Sequence, residues 1–288
     1  MKTTYYKDNR LLAFLIVTII YVLATVVAVI SFNLLKFDLW LNILLADVIA
    51  TIFVFIFSVA FNNASVYDPY WSVQPPVILI AVAIKYGVNV SGVIVIITVL
   101  IWAIRLTANW AYTFHSFNYQ DWRYVMLKEK TGKFYPLINF IGIHLVPTLI
   151  VYAVTMPAVY VIVSKVSFNV ISLIFIVVSL LAVTIQGVAD CQMHKFKKSK
   201  VGGLIRVGLW KYSRHPNYLG EILNWWGIGF YAVTLFGGSW YFLIGAVLNT
   251  LLFTFVSIPM ADERQSKKEG YALYKKQTRA LLPIYKKQ

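Results

Sequence analysis

Cysteine is nearly absent from this chain of 288 residues. Cys191 stands alone, so no internal disulfide and no cysteine-rich zinc or iron-sulfur site can form. Histidine is almost as scarce, at His115, His144, His194 and His215, which excludes the repeated histidine clusters of membrane di-iron oxygenases. Charged residues make up only 13% of the chain, and no Gly-x-Gly-x-x-Gly fingerprint marks a Rossmann dinucleotide fold. Internal repeats, low-complexity tracts and linkers are also missing, which leaves a single domain over residues 1–288 as the simplest organisation.

What is abundant is apolar. Hydrophobic residues reach 60% and the mean hydropathy is +0.72, far more than one soluble core of this size requires. A helix needs about 20 apolar residues to cross a bilayer. Such stretches run from Leu11 to Phe32, Leu39 to Phe61, Tyr70 to Tyr86, Val93 to Tyr112, Leu137 to Val163, Phe168 to Val188, Asn217 to Val233 and Trp240 to Ile258. The third contains Pro75 and Pro76, so seven or eight spans are expected in an all-α, polytopic helical bundle. The polar, basic segment Met1 to Arg10 precedes an apolar run longer than a signal-peptide core, which reads as a retained first span.

The net charge of +15 would ordinarily raise nucleic acid as a partner. Its distribution argues otherwise. With eight spans and the N-terminus inside, 22 of the 26 Lys and Arg residues fall on one side, as the positive-inside rule requires of a cytoplasmic face. The partners are then the bilayer and a lipid-like small molecule, with no nucleic acid.

Polar residues gather in three segments assigned to that face. On a helix continuing the sixth span, Asp190, His194 and Lys197 share one side at spacings of four and three, suited to a ribose and phosphates or to anionic lipid. Asp190, Cys191 and His194 on one helix make a weak metal set without ligands from elsewhere. In the second segment, Trp210 offers an aromatic plane, Arg214 and His215 can meet phosphate, and Pro216 opens a helix on which Asn217 and Glu221 lie four apart. A plain alternative takes Trp210 as an interfacial anchor and Arg214 as a boundary charge. Glu221 resists it, because a carboxylate one turn inside an apolar helix is costly unless it faces a polar cavity or a cation. The same holds for Asp47, Asp68 and Arg105. The third segment, the tail from Pro259, alternates aromatic and basic residues in a pattern that suits a cofactor lid or an amphipathic surface helix.

The run Arg214-His215-Pro216-Asn217-Tyr218-Leu219-Gly220-Glu221 resembles the signature shared by steroid 5-alpha-reductases, sterol reductases and the bacterial membrane proteins grouped with them. About the last 100 residues follow those families in order and spacing. The patterns Asp68-Pro69-Tyr70-Trp71-Ser72, Arg105-Leu106 and Asp121-Trp122-Arg123-Tyr124 look like those of an uncharacterised bacterial branch, the DUF1295 grouping. The resemblance implies an NADPH site on the cytosolic side of residues 166–288 and a substrate half in residues 1–165, as in an inner-membrane enzyme. It would place Asp190 near the nucleotide, Lys197 at a phosphate where arginine is more usual, and Trp210 beside the cofactor. Asn217 would hold the nicotinamide carboxamide, and Asp262 with Tyr271 or Tyr274 would close over the dinucleotide.

The implied reaction is reduction of a carbon-carbon double bond conjugated to a carbonyl in a steroid-like or isoprenoid lipid. It needs a group that polarises the oxygen, for which Asp68, Tyr67, Tyr70 and Arg105 are candidates, preferably as a Tyr-carboxylate pair. Asp68 has a second reading, as the cap of the third helix. Two rivals stand beside the reductase. One is an S-adenosylmethionine-dependent membrane methyltransferase like the isoprenylcysteine carboxyl methyltransferases, which share an Arg-His-Pro-x-Tyr run and to which Glu263-Arg264 also conforms. The other is a noncatalytic membrane scaffold. The charge asymmetry predicts that a reporter fused after Gln288 is active in the cytoplasm; activity only on the opposite side would refute the topology.

Overall fold

The computed structural model describes residues 5–199 and 202–283, which are mostly helical, joined by turns and short loops, with one β-bridge between Ser213 and Arg279 among them. The main helices are α1 Arg10–Leu34, α2 Leu39–Ala60, α3 Tyr70–Tyr86, α4 Val90–Thr113, α5 Trp122–Thr131, α6 Val146–Ser164, α7 Leu173–Lys198, α8 Pro216–Leu235, α9 Ile244–Leu252, α10 Ile258–Ser266 and α11 Tyr271–Gln277. Six helical stretches among the described residues are long and apolar enough to cross a membrane: Arg10–Leu34, Leu39–Ala60, Val90–Thr113, Trp122–Ser164, Val170–Lys198 and Trp240–Ser266. Helices also occupy the other two expected spans. However, α3 has only 17 residues, and α8 carries the buried polar residues Glu221 and Asn224.

Local chemistry sets the helix ends. Asn9 accepts from the Leu12 amide at 3.0 Å, and Asp38 accepts from the amides of Trp40 and Leu41. Pro216 occupies the first turn of α8, where its missing N–H costs nothing. Helix α3 runs through Pro75 and Pro76 without ending. The outward stripe of α1, Leu11, Leu15, Ile19, Val22, Val26 and Ile30, is exposed at spacings of three and four, as suits a helix solvated by lipid. Two helical stretches contain a π-helical turn, Asn139–Leu145 leading into α6 and Phe253–Ser257 between α9 and α10.

The chain divides into two compact units, residues 1–87 with 106–155 and residues 88–105 with 156–288, so α4 passes from one to the other at Arg105. The first unit is built around aromatic packing. Tyr67 and Tyr70 stack at 5.0 Å, and Tyr21 donates to the carbonyls of Val66 and Tyr67 at 2.9 and 3.2 Å. In the second, α7 and α8 lie against each other through small residues. A Cβ on Gly220 would come within 2.6 Å of the Ala182 carbonyl oxygen, and one on Gly227 within 2.8 Å of that of Phe175. Close backbone approach of this kind holds helices together where lipid replaces water. Gly220→Ala is therefore predicted to destabilise the protein by about 2 kcal/mol through overpacking. Thermal unfolding in detergent tests this, and an unchanged midpoint would mean that the helices do not meet there.

Candidate functional site

The second unit gathers most of the residues expected at a cofactor site. Ser213 to His215 run extended into α8 and take the tail beside them. The amides of Arg214 and His215 donate to the carbonyls of Arg279 and Ala280, both at 3.0 Å. The Arg214 guanidinium is buried. It pairs with Asp262 of α10, Nη2 to Oδ2 at 2.7 Å and Nε to Oδ1 at 3.3 Å, while Nη1 donates to the Thr278 carbonyl at 2.6 Å. Burial alone would lower the Arg214 pKa; the hydrogen bonds and charge of Asp262 outweigh it and raise it. His215 Nε2 lies 2.8 Å from Asp262 Oδ1, and its ring stacks on Tyr218.

Two other expected contacts are likewise engaged within the protein. Trp210 is buried against Met193 and Phe196 and donates to the Ala189 carbonyl at 3.0 Å. The Tyr274 hydroxyl donates to the Trp210 carbonyl, and burial pushes that phenol up to about 12. Tyr271 lies near Asp262, and burial first, then that carboxylate, raise its pKa as well.

Three positions hold polar capacity toward something else. Asn217, half-buried in the first turn of α8, makes no side-chain hydrogen bond among the described residues. Arg105 joins Asp190 at 2.7 Å through Nη1, while its buried Nε has no partner among them. Lys197 is exposed, and with Arg264 it acts electrostatically on Lys268, whose ammonium pKa is lowered by burial and then by those two cations. Deeper in the unit, the Glu221 carboxylate accepts from the indoles of Trp102 at 2.9 Å and Trp225 at 2.8 Å. That pairing is how an acid one turn inside α8 is tolerated.

In the first unit the structure finds the Tyr-carboxylate pairing twice, each time with one partner outside the candidate set. Tyr70 donates to Asp47, at 2.7 Å to Oδ1 and 2.9 Å to the backbone carbonyl. Asp68 accepts from the Tyr124 hydroxyl. The cap reading of Asp68 is overturned: Pro69 is the N-cap of α3, and no side chain caps that helix. Asp68 instead closes the short turn Ala64–Tyr67, its amide donating to the Ser65 carbonyl. Sequence reasoning flagged Asp47 as a buried charge but found it no partner. Asp47 and Tyr70 stand 23 positions apart on different helices, and only the packing of the chain joins them.

Asp47 and Tyr70 border a cavity of about 40 Å³ between α1, α2 and α3, lined otherwise by apolar side chains and Gln74. Asp47 Oδ2 and both amide atoms of Gln74 are buried and make no well-formed hydrogen bond among the described residues, although the Gln74 amide is a near neighbour of the Asp47 carboxylate. Unpaired polar atoms in an apolar cavity cost free energy unless a ligand or water meets them.

The model of the DUF1295 family, proteins of unknown function, matches residues 54–278, and the chain belongs to that family. No curated protein and no solved structure matches it.

Asp68 lies outside the spanning helices, and burial, then the neighbouring Asp121 carboxylate, push its carboxyl up to about 7 against the pull of Arg123. A carboxyl whose pKa is raised by folding binds its proton more tightly in the folded state, so its contribution to stability falls as pH rises from about 4 towards 7. Asp68→Asn removes that titration. The unfolding temperature of the variant minus that of the parent is predicted to rise between pH 5 and pH 8, and parallel profiles would refute the assignment.

Proposed function

We propose that this protein is an NADPH-dependent reductase of a carbon-carbon double bond conjugated to a carbonyl, in a steroid-like or isoprenoid lipid taken from the membrane. The observation that carries the reading is the Tyr70–Asp47 pair at the end of an apolar cavity, with a carboxylate oxygen and the Gln74 amide left unpaired. Polarising a carbonyl oxygen takes a placed donor in a water-poor site. Tyr70 donates to Asp47 Oδ1, so the proton for that oxygen comes from Asp47 protonated on Oδ2, and Gln74 Nε2 supplies a second donor. As the double bond is reduced at its β carbon, negative charge develops on the oxygen and Asp47 Oδ2 delivers its proton, giving the enol. The α carbon then takes a proton from water as the enol proton returns to Asp47, leaving the saturated carbonyl compound.

NADPH supplies the hydride when bound, and the residues present fit it. The Asn217 amide is unengaged and matches the carboxamide of a nicotinamide in both donor and acceptor. Lys197 lies within electrostatic reach of Lys268, and two like charges so placed attract a phosphate. Support for a reductase over the methyltransferase, which shares the Arg-His-Pro-x-Tyr run, comes from Asn217 within that run and from the Asp190–Lys197 helix. Arg214, Asp262, Trp210 and Tyr274 act in this reading as the frame that ties the tail to the start of α8.

Purified protein is expected to oxidise NADPH only when an enone lipid is supplied, with a product two hydrogens heavier. Asp47→Asn is expected to lower kcat by about 100-fold, the usual share of a general acid, with the fold intact. Asn217→Ala is expected to abolish turnover. Lys197→Ala is expected mainly to raise the NADPH concentration required, since a phosphate contact binds ground and transition states alike. A product heavier by one methyl group, formed with S-adenosylmethionine, would instead establish the methyltransferase.

A further inference from the structure

We infer that the substrate is an open-chain lipid carrying its unsaturated carbonyl at one end, and that fused-ring enones are excluded from the reacting position. The inference rests on the reductase reading and narrows its substrate class.

Two cavities of the first unit differ sharply in character. One, of about 400 Å³, lies against Val17, Tyr21, Val73, Thr107 and Trp110 and has the volume of an ordinary ligand pocket. No carboxyl group lines it. Its Tyr21 hydroxyl is already bonded to the carbonyls of Val66 and Tyr67, and Thr107 is paired with Ser72 at 2.8 Å. It has room for a ring system, but the polar groups left to meet one are the hydroxyls of Thr18 and Thr25, with no carboxyl or phenol free to polarise a carbonyl. The other is the cavity of about 40 Å³ that ends at Asp47, Tyr70 and Gln74. It has the donors, but it is several times smaller than the cavity of about 150 Å³ that accommodates a single benzene ring.

Around the polar end its walls are packed side chains, Ile43 and Val82 being buried almost completely and Ile78 nearly so, while Ala28, Val29, Val77 and Ala81 are half-buried where it opens outward. Close-packed walls yield little to added volume. A carbonyl at the end of a slender chain fits this space, its oxygen meeting Tyr70, Asp47 and Gln74 Nε2.

The test compares an open-chain α,β-unsaturated prenyl aldehyde with a 3-oxo-4-ene steroid, using the full chain in detergent. The prenyl aldehyde alone, without NADPH, is expected to raise the unfolding temperature. Ala81→Leu, which adds bulk to the cavity wall, should remove that rise while the unliganded unfolding temperature stays near the parent's. With NADPH, kcat/KM for the aldehyde should exceed that for the steroid by at least about tenfold, the scale set by one misfitting methylene. Ile78→Ala should shift that ratio toward the steroid. Steroid turnover equal to or faster than aldehyde turnover in the parent protein would overturn the open-chain assignment and leave the reductase reading standing. NADPH oxidation with neither substrate would overturn both.

Discussion

The contact between α7 and α8 is the constraint on which the second unit depends. Gly220 and Gly227 bring the α8 backbone against the carbonyls of Ala182 and Phe175, and no side chain larger than hydrogen fits between. Between those two glycines Asn224 lies on the α7 side and accepts from the Ser179 hydroxyl at 2.6 Å. One residue past Gly220, Glu221 is held between two indoles. A membrane bundle gains little from burying apolar surface against apolar surface, because lipid is equally apolar, so close packing and buried hydrogen bonds carry the association. The position of Asn217, one turn before Gly220, follows from the same contact.

At the start of α8 a second requirement takes over. A buried guanidinium is tolerated only when its donors are satisfied, and Arg214 meets that through Asp262 and the Thr278 carbonyl. Both partners lie more than 45 residues further along the chain. The pairing therefore fixes the tail against residues 213–215, and the backbone bonds to Arg279 and Ala280 continue it. Much of the Arg-His-Pro-Asn-Tyr run is thereby accounted for as architecture. Arg214 and His215 anchor α10 and the tail, Pro216 starts the helix, and Asn217 alone keeps its amide unengaged.

The sequence made the helices legible because each is a long apolar run with a capping or turn residue at its edge, such as Asn9, Asp38 and Pro216. The continuation of the sixth apolar run into a polar helix was likewise readable, from Asp190, His194 and Lys197 recurring on one face of what is α7. Side-chain partners were not. Charge scarcity singled out Asp47, Asp68, Arg105 and Glu221 as costly, but a cost does not name the group that offsets it. Asp47 found Tyr70, Asp68 found Tyr124, Arg105 found Asp190, and Glu221 found Trp102, across separations of 23 to 119 residues that only packing can specify. Nor did the sequence show that Trp210 packs on α7 and that its carbonyl accepts from the Tyr274 hydroxyl.

Buried polar groups in this protein thus fall into two kinds, and the difference bears on function. Glu221, Arg214 and Asp262 have partners placed by the fold, and deleting one would leave a charge uncompensated in a poor solvent. Asp47 Oδ2 and the Gln74 amide have none among the described residues, yet they sit together at the end of one cavity. Selection for stability alone would replace such atoms with methyl groups, since apolar isosteres at buried positions are often neutral or stabilising. Other buried polar atoms without partners, such as the amides of Gln186 and Asn249, lie elsewhere in the fold. Asp47 Oδ2 and the Gln74 amide differ in bordering one cavity beside a tyrosine already bonded to the same carboxylate, as expected of a site whose further hydrogen-bond partner is the substrate.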